Sequence, residues 1–257
     1  MSAPRPHHLA DMTTEEAALA VTERPVVLLA AGAFEQHGPA LPLATDLVRA
    51  EAVTERVAAR LAGRVVIGPH LPVGVSPHHV AFPGTLSLSV TTFRTVVREY
   101  LEGLYRHGWR KVLIVTGHGG NNASLTTLAQ DLLADLPDLE FAWTPLTTVA
   151  ADVVARMPIS EVHGHSGEAE TAQMLHLAPG LVHTDRFAPG TRRLTELDAL
   201  SRLARRAGHP TLQVRYDRLS ANGVLGDPAR ATAEDGAAIV DRVVDEITDF
   251  VEEWLQA

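Results

Sequence analysis

The chain contains no cysteine among its 257 residues. That absence removes disulfides, thiolate zinc sites, iron–sulfur clusters and cysteine nucleophiles together, so any metal must be held by His, Asp or Glu. Basic charge is also scarce: 22 Lys+Arg stand against 31 Asp+Glu, a formal net charge of −9. With a pI near 5.8 the chain carries no basic footprint for nucleic acid or for an anionic membrane. Long apolar runs are missing too. The longest, residues 26–34, falls well short of the ~20 residues of a membrane helix, and residues 1–8 lack the apolar region of a secretory signal. A cytoplasmic protein acting on a small molecule or a peptide is the expectation.

No repeat, low-complexity tract or Ser/Gly-rich linker divides the chain. One domain over residues 11–257 is expected, behind a disordered N-terminus at residues 1–10. From Pro25 the sequence reads Val26-Val27-Leu28-Leu29-Ala30-Ala31-Gly32, the pattern of a strand buried on both faces. It returns at Val65-Val66-Ile67-Gly68 and at Lys111-Val112-Leu113-Ile114-Val115-Thr116-Gly117, and more weakly over residues 139–146. Helical spacing occupies residues 46–61, with Thr45 or Asp46 as N-cap, then 91–107 and 121–136, and finally 232–255, where Val240, Val243, Val244, Ile247 and Val251 share a face. Residues 191–208 read as a basic surface helix, and 213–225 as a loop or short strand pair. Strand and helix in alternation predict an α/β domain of three layers, with a mostly parallel sheet flanked by helices.

Polar clusters follow the strands, where open α/β sheets carry their functional loops. Glu35 and His37 are two residues apart, so in an extended segment both point to one side, and Asp46 returns to them from the next helix. His118, in a glycine-rich loop after a neighbouring strand, and Glu168, at the start of a later helix, bring the set to five. Five N/O ligands suit two borderline divalent ions with an Asp carboxylate between them. A phosphate loop at Gly117-His118-Gly119-Gly120-Asn121 is the rival reading, but it fits neither G-x-x-x-x-G-K-[ST] nor G-x-G-x-x-G. Ser87 and Ser166 lie in no nucleophile elbow.

Four ordered blocks carry a family resemblance: Gly32-x-x-Glu35-Gln36-His37-Gly38-Pro39-x-Leu41-Pro42-x-x-Thr45-Asp46; Gly74-Val75-Ser76-x-x-His79-x-x-Phe82-Pro83-Gly84-Thr85; Gly117-His118-Gly119-Gly120-Asn121; and His165-x-Gly167-Glu168-x-Glu170-Thr171. Together with Gly223-Val224-x-Gly226-Asp227-Pro228, they resemble the creatininase (creatinine amidohydrolase) family. The resemblance implies a layered α/β fold, a homo-oligomer that is often hexameric, and hydrolysis of C–N bonds by a hydroxide activated between two metal ions. Zn is the first expectation, with Mn or Fe as alternatives. Carried over by position, Glu35, Asp46 and His118 hold one ion, His37, the bridging Asp46 and Glu168 the other, and His165 handles protons. Creatininase has a metal-binding Glu two residues after the His of the third block; here that position is Gly120. Ser76, His79 and Glu170 are expected to line the substrate pocket or to orient ligands.

The leading expectation is thus a metal-dependent amidohydrolase acting on a small amide, lactam or formamide. Within the same family, one branch resembles the mycofactocin-maturation peptidases, which trim a modified precursor peptide, and another the deformylases of pyrimidine biosynthesis. A metal-free relative that only binds a metabolite predicts a missing ligand, yet the four blocks keep their carboxylates and imidazoles.

Overall fold

Alternation along the central strands decides the layering. In the computed structural model, which describes residues 8–23, 25–206 and 210–257, the strands are β1 (Val26–Ala31), β2 (Val65–Ile67), β3 (Lys111–Thr116) and β4 (Glu140–Pro145). All pair in parallel, in the order β2-β1-β3-β4. Successive side chains point to opposite faces. Val26 and Leu28 therefore join Leu113 and Val115 in one core, while Val27 and Leu29 join Val112 and Ile114 in the other.

The helices are α1 (Thr14–Thr22), α2 (Thr45–Arg60), α3 (Val90–Arg106), α4 (Asn122–Asp135), α5 (Leu146–Val149), α6 (Ala151–Val154), α7 (Glu168–Leu177), α8 (Ala199–Ala204), α9 (Tyr216–Leu219) and α10 (Ala233–Trp254). Helices α2, α5, α6, α7 and α10 cover the first face; α1, α3 and α4 cover the second. Helix α10 starts where the Thr232 hydroxyl accepts from the Asp235 N–H, 3.1 Å away, and it buries Val240, Val243, Val244, Ile247 and Val251. Each such large apolar side chain removed from water contributes on the order of 1.5–3 kcal/mol.

Two expected segments differ. Residues 191–208 hold only a turn at Leu194–Glu196 and the short α8, since Thr191 is drawn into a bridge with Leu225; residues 207 and 208 lie outside the described residues. Residues 213–225 carry the helical turn α9. Of the expected disordered N-terminus, residues 1–7 lie outside the described residues, whereas His8 pairs with Ile67 and Leu9 packs on the second core. No helix among the described residues is long and apolar enough to cross a membrane.

Since β1 lies between β2 and β3, the sheet grows one way after β1 and the other way from β3. The crevice at such a reversal, beyond the carboxyl ends of the strands, is where open α/β sheets bind ligands. Here α2 enters that crevice. A Cβ on Gly117, just after β3, would stand 2.1 Å from the Asp46 carbonyl oxygen. Glycine at this strand end lets the first turn of α2 lie against the sheet.

Candidate metal centre

Asp46 is the second residue of α2, and the N-cap position is Ala44, which has no side-chain cap. Neither Thr45 nor Asp46 serves as the cap. Thr45 donates to the Pro42 carbonyl at 2.7 Å, and the Asp46 carboxylate is left for the crevice. Its two oxygens face different partners. Oδ2 is 3.3 Å from His118 Nδ1, and Oδ1 is 3.4 Å from His37 Nε2. Glu35 Oε1 lies 3.3 Å from the same His118 nitrogen. One carboxylate therefore spans two donor groups, as a bridging ligand does.

The remaining ring nitrogens define the tautomers. His118 Nε2 is 3.0 Å from the Val75 carbonyl and His37 Nδ1 is 3.1 Å from the Glu35 carbonyl. A carbonyl only accepts, so both nitrogens carry hydrogen, and the neutral rings present bare Nδ1 and Nε2 to the cluster. His165 repeats the device: Nε2 donates to the Gln36 carbonyl at 2.6 Å, and Nδ1 faces Glu35 Oε1 at 3.5 Å. His79 is the exception. The Gln36 amide accepts from the Gly38 N–H and donates to the Gly223 carbonyl, so its nitrogen also donates to His79 Nδ1 at 2.9 Å. The hydrogen of neutral His79 then sits on Nε2, 3.5 Å from Glu35 Oε1, which makes His79 a donor into the site.

Bare nitrogens facing carboxylate oxygens repel unless a cation or a proton lies between them. Both oxygens of Glu35, Asp46 Oδ2 and His37 Nε2 are buried without a hydrogen bond. Groups able to converge on a metal ion include Glu35, His37 and Asp46, and also His37, His165 and Glu170. The donor set of imidazoles and carboxylates fits borderline divalent ions. With protons in that place, burial opposes charge on His37, but Asp46 outweighs it and raises His37 to about 9. Burial likewise works against His118, yet Glu35 and Asp46 hold it well above its ordinary value. Burial also opposes the Asp46 charge, and His37 and His118 keep it well below the carboxylate range. His165 is shifted the other way, by burial and then by His37. Burial lowers His78 to about 4.

Glu168 does not join this cluster. Its Oε1 accepts from the Ser160 N–H and hydroxyl and from the Asp227 N–H, at 3.0, 2.5 and 3.0 Å. The carboxylate ties the start of α7 to two loops. Glu170, two residues further round the helix, is the one that meets His37, with Oε2 3.6 Å from Nε2. Ser166, whose backbone is left-handed at φ 55°, donates its N–H to that oxygen at 2.7 Å. Gly120 offers no room for a carboxylate, because a Cβ there would lie 2.3 Å from both His118 Nε2 and the Val75 carbonyl. Ser76 is buried behind His118, with its hydroxyl 3.4 Å from Nε2.

A cavity of about 1050 Å³ opens above the cluster. Its polar side includes His78, His79, His165 and Tyr216, and its apolar side Val154, Ala155 and Ile159. The Tyr216 ring packs 4.1 Å from that of His79. Tyr216 and Arg49 are the residues missed in the sequence. Tyr216 gives no signal in a weakly patterned segment. Arg49 does: it stands in the stripe Asp46, Arg49, Val53, Val57, where helical spacing calls for an apolar residue.

The family model for creatinine amidohydrolase matches residues 10–251. A mycofactocin precursor peptide peptidase of Mycobacterium tuberculosis is 34% identical over 240 residues, covering 90% of this chain and 86% of that protein. Creatinine amidohydrolase of Pseudomonas putida is 28% identical over 247 residues, covering 89% of each. The crystal structure of a creatininase superposes with a TM-score of 0.83 at 26% identity, covering 97% of this chain and 98% of that one. Related creatininase structures are a Zn–Zn type and a Mn form. The layered parallel fold, the imidazole and carboxylate donors at the sheet reversal and these likenesses together place the chain in the creatininase family of metal-dependent amidohydrolases.

Proposed function

We propose that the chain hydrolyses an amide C–N bond in a substrate of peptide size, using two divalent ions. Glu35, Asp46 and His118 would hold the first. His37, Asp46 and Glu170 would hold the second, with Glu170 in place of the expected Glu168. The observation that carries this reading is the set of buried, unpaired donor atoms of Glu35, His37 and Asp46 under one cavity. Two ions held there supply Lewis acidity and a hydroxide near neutral pH. The protein's own groups do the rest. His165 Nδ1, bare in the neutral ring, takes a proton and passes it to the leaving nitrogen. His79, fixed by Gln36, offers an N–H to the substrate's developing negative charge.

Two observations favour a peptide over a small amide. Small-molecule pockets run to roughly 300–1,000 Å³, and the cavity here, about 1050 Å³, lies at the top of that range. The relatives that match at 33–34% identity are named precursor peptide peptidases. The test is to offer the Zn- or Mn-loaded protein a ribosomal precursor peptide bearing a modified C-terminus alongside creatinine and simple formamides, and to follow products by mass spectrometry. Release of a short peptide fragment is expected, with His165→Ala keeping its ions and losing turnover. Cleavage of the small amides alone would overturn the peptide reading, and no hydrolysis by a fully loaded protein would overturn both.

A further inference from the structure

Arg49 is wholly buried, yet it lies in the floor of the site rather than in an ion pair at the surface. Its guanidinium uses every edge. Nη1 is 2.8 Å from Glu170 Oε1 and 3.3 Å from Asp46 Oδ1. Nε donates to Gln173 Oε1 at 3.2 Å, and Nη2 to the Thr147 hydroxyl at 3.4 Å. These contacts fall on one side of the centre. Asp46 Oδ1 and Glu170 are the atoms that face His37, whereas Glu35 and Asp46 Oδ2, which face His118, do not touch Arg49 through any of these bonds.

The geometry points to Arg49 as the positioning residue of the His37-side ion. It rests on the two-ion reading above. Two observations support the role. The loop after β3 has no space at Gly120 for a carboxylate, and Glu170 of α7 is the carboxylate that converges with His37 and His165. Glu170 is partly exposed on a different element from His37 and Asp46, and Arg49 ties it to Asp46 by hydrogen bonds to both from Nη1. A planar fork anchored at Gln173 and Thr147 fixes the distance between the two carboxylates in a way that a flexible ammonium does not. Each carboxylate gives one oxygen to Arg49 or shares it there. Glu170 Oε2 stays turned toward His37, where Ser166 also holds it.

The test is a metal titration of the chelator-stripped chain with Zn²⁺, read by a competing chromophoric chelator, for wild type, Arg49→Met and Arg49→Lys. Circular dichroism and Tm are recorded on the same samples. Wild type is expected to take two ions. Arg49→Met should keep the first at wild-type affinity and bind the second roughly 10–100-fold more weakly, the usual cost of losing a partner that orients a ligand. Arg49→Lys should fall between them. A general loss of structure would weaken both ions, so the split between them separates positioning from scaffolding. If Arg49→Met does not fold, Arg49→Lys decides alone, and a folded Arg49→Lys with two ions at wild-type affinity overturns the inference. Two wild-type ions and two undisturbed ions in Arg49→Met overturn it as well while leaving the two-ion reading in place. A wild-type chain that takes only one ion overturns both.

Discussion

His37 and His118 are each set between carboxylates with no solvent to share the charge. In the metal-free protein their protons do the work of cations, and this has a pH signature. His37 is raised from 6.5 to about 9, so the stability it contributes is fully present below about pH 6.5 and is lost as pH rises through about 9. His118 is raised in the same sense. The Tm of the chelator-stripped protein should therefore fall across that window, and the metal-loaded protein should show a much flatter profile. A flat profile in the stripped protein would mean that the two imidazoles are not charged there. Most of these donors were legible in the sequence, because Glu35, His37 and His118 closely follow strand ends and Asp46 opens the next helix. Glu168 and Glu170 were not separable in that way. Both begin the same helix and line the cavity, and which of them reaches His37 depends on how α7 is rotated by its packing against α2 and α10.

At the level of the element, the loop after β3 turns on Gly120. Gly120 lets His118 turn Nε2 back to the Val75 carbonyl, and the bond at 3.0 Å in turn points Nδ1 at Glu35 and Asp46. Gly120→Ala places a methyl group 2.3 Å from both partners of that bond. Metal affinity should drop roughly 10–100-fold, read by the same chelator competition, while far-UV circular dichroism stays unchanged. Unaltered affinity would show that His118 does not need this loop geometry. The strands and long helices were legible because their periodicity is strong: the pattern over residues 91–107 becomes Val90–Arg106 and that over 232–255 becomes Ala233–Trp254. Residues 191–225 resisted the same reading. Their order comes from single contacts, such as the bridge of Thr191 with Leu225 and the Tyr216 ring on His79, and isolated contacts leave no period in the sequence.

For the molecule as a whole, two cores on either side of one sheet fix the strand ends beyond which the crevice lies. Phe93 is fully buried in the core behind β1 and β3, together with Val97, Leu101 and Leu125. Phe93→Ala should cost about 3–5 kcal/mol, measured by urea unfolding, with metal stoichiometry preserved in the folded fraction because α3 supplies none of the donors. A loss near zero would mean that the site closes over the gap. The three-layer arrangement was open to inference from four apolar runs and the helices between them, while the strand order was not, since parallel strands leave no local turn to fix their neighbours.

The donors and the cavity walls come from different parts of this architecture. Glu35, His37 and His118 sit in the loops that follow β1 and β3, and Asp46 and Glu170 in the first turns of α2 and α7. Much of the wall comes from residues 147–163 and 213–216. Among them Val154, Ala155, Ile159 and Val214 make none of the side-chain hydrogen bonds or ion pairs that hold the donors, whereas Thr147 anchors Arg49 and Tyr216 packs on His79. A single inherited reaction floor can thus be roofed for a ring as compact as creatinine or for the end of a peptide, and divergence of substrate in such a lineage becomes a matter of replacing the roof.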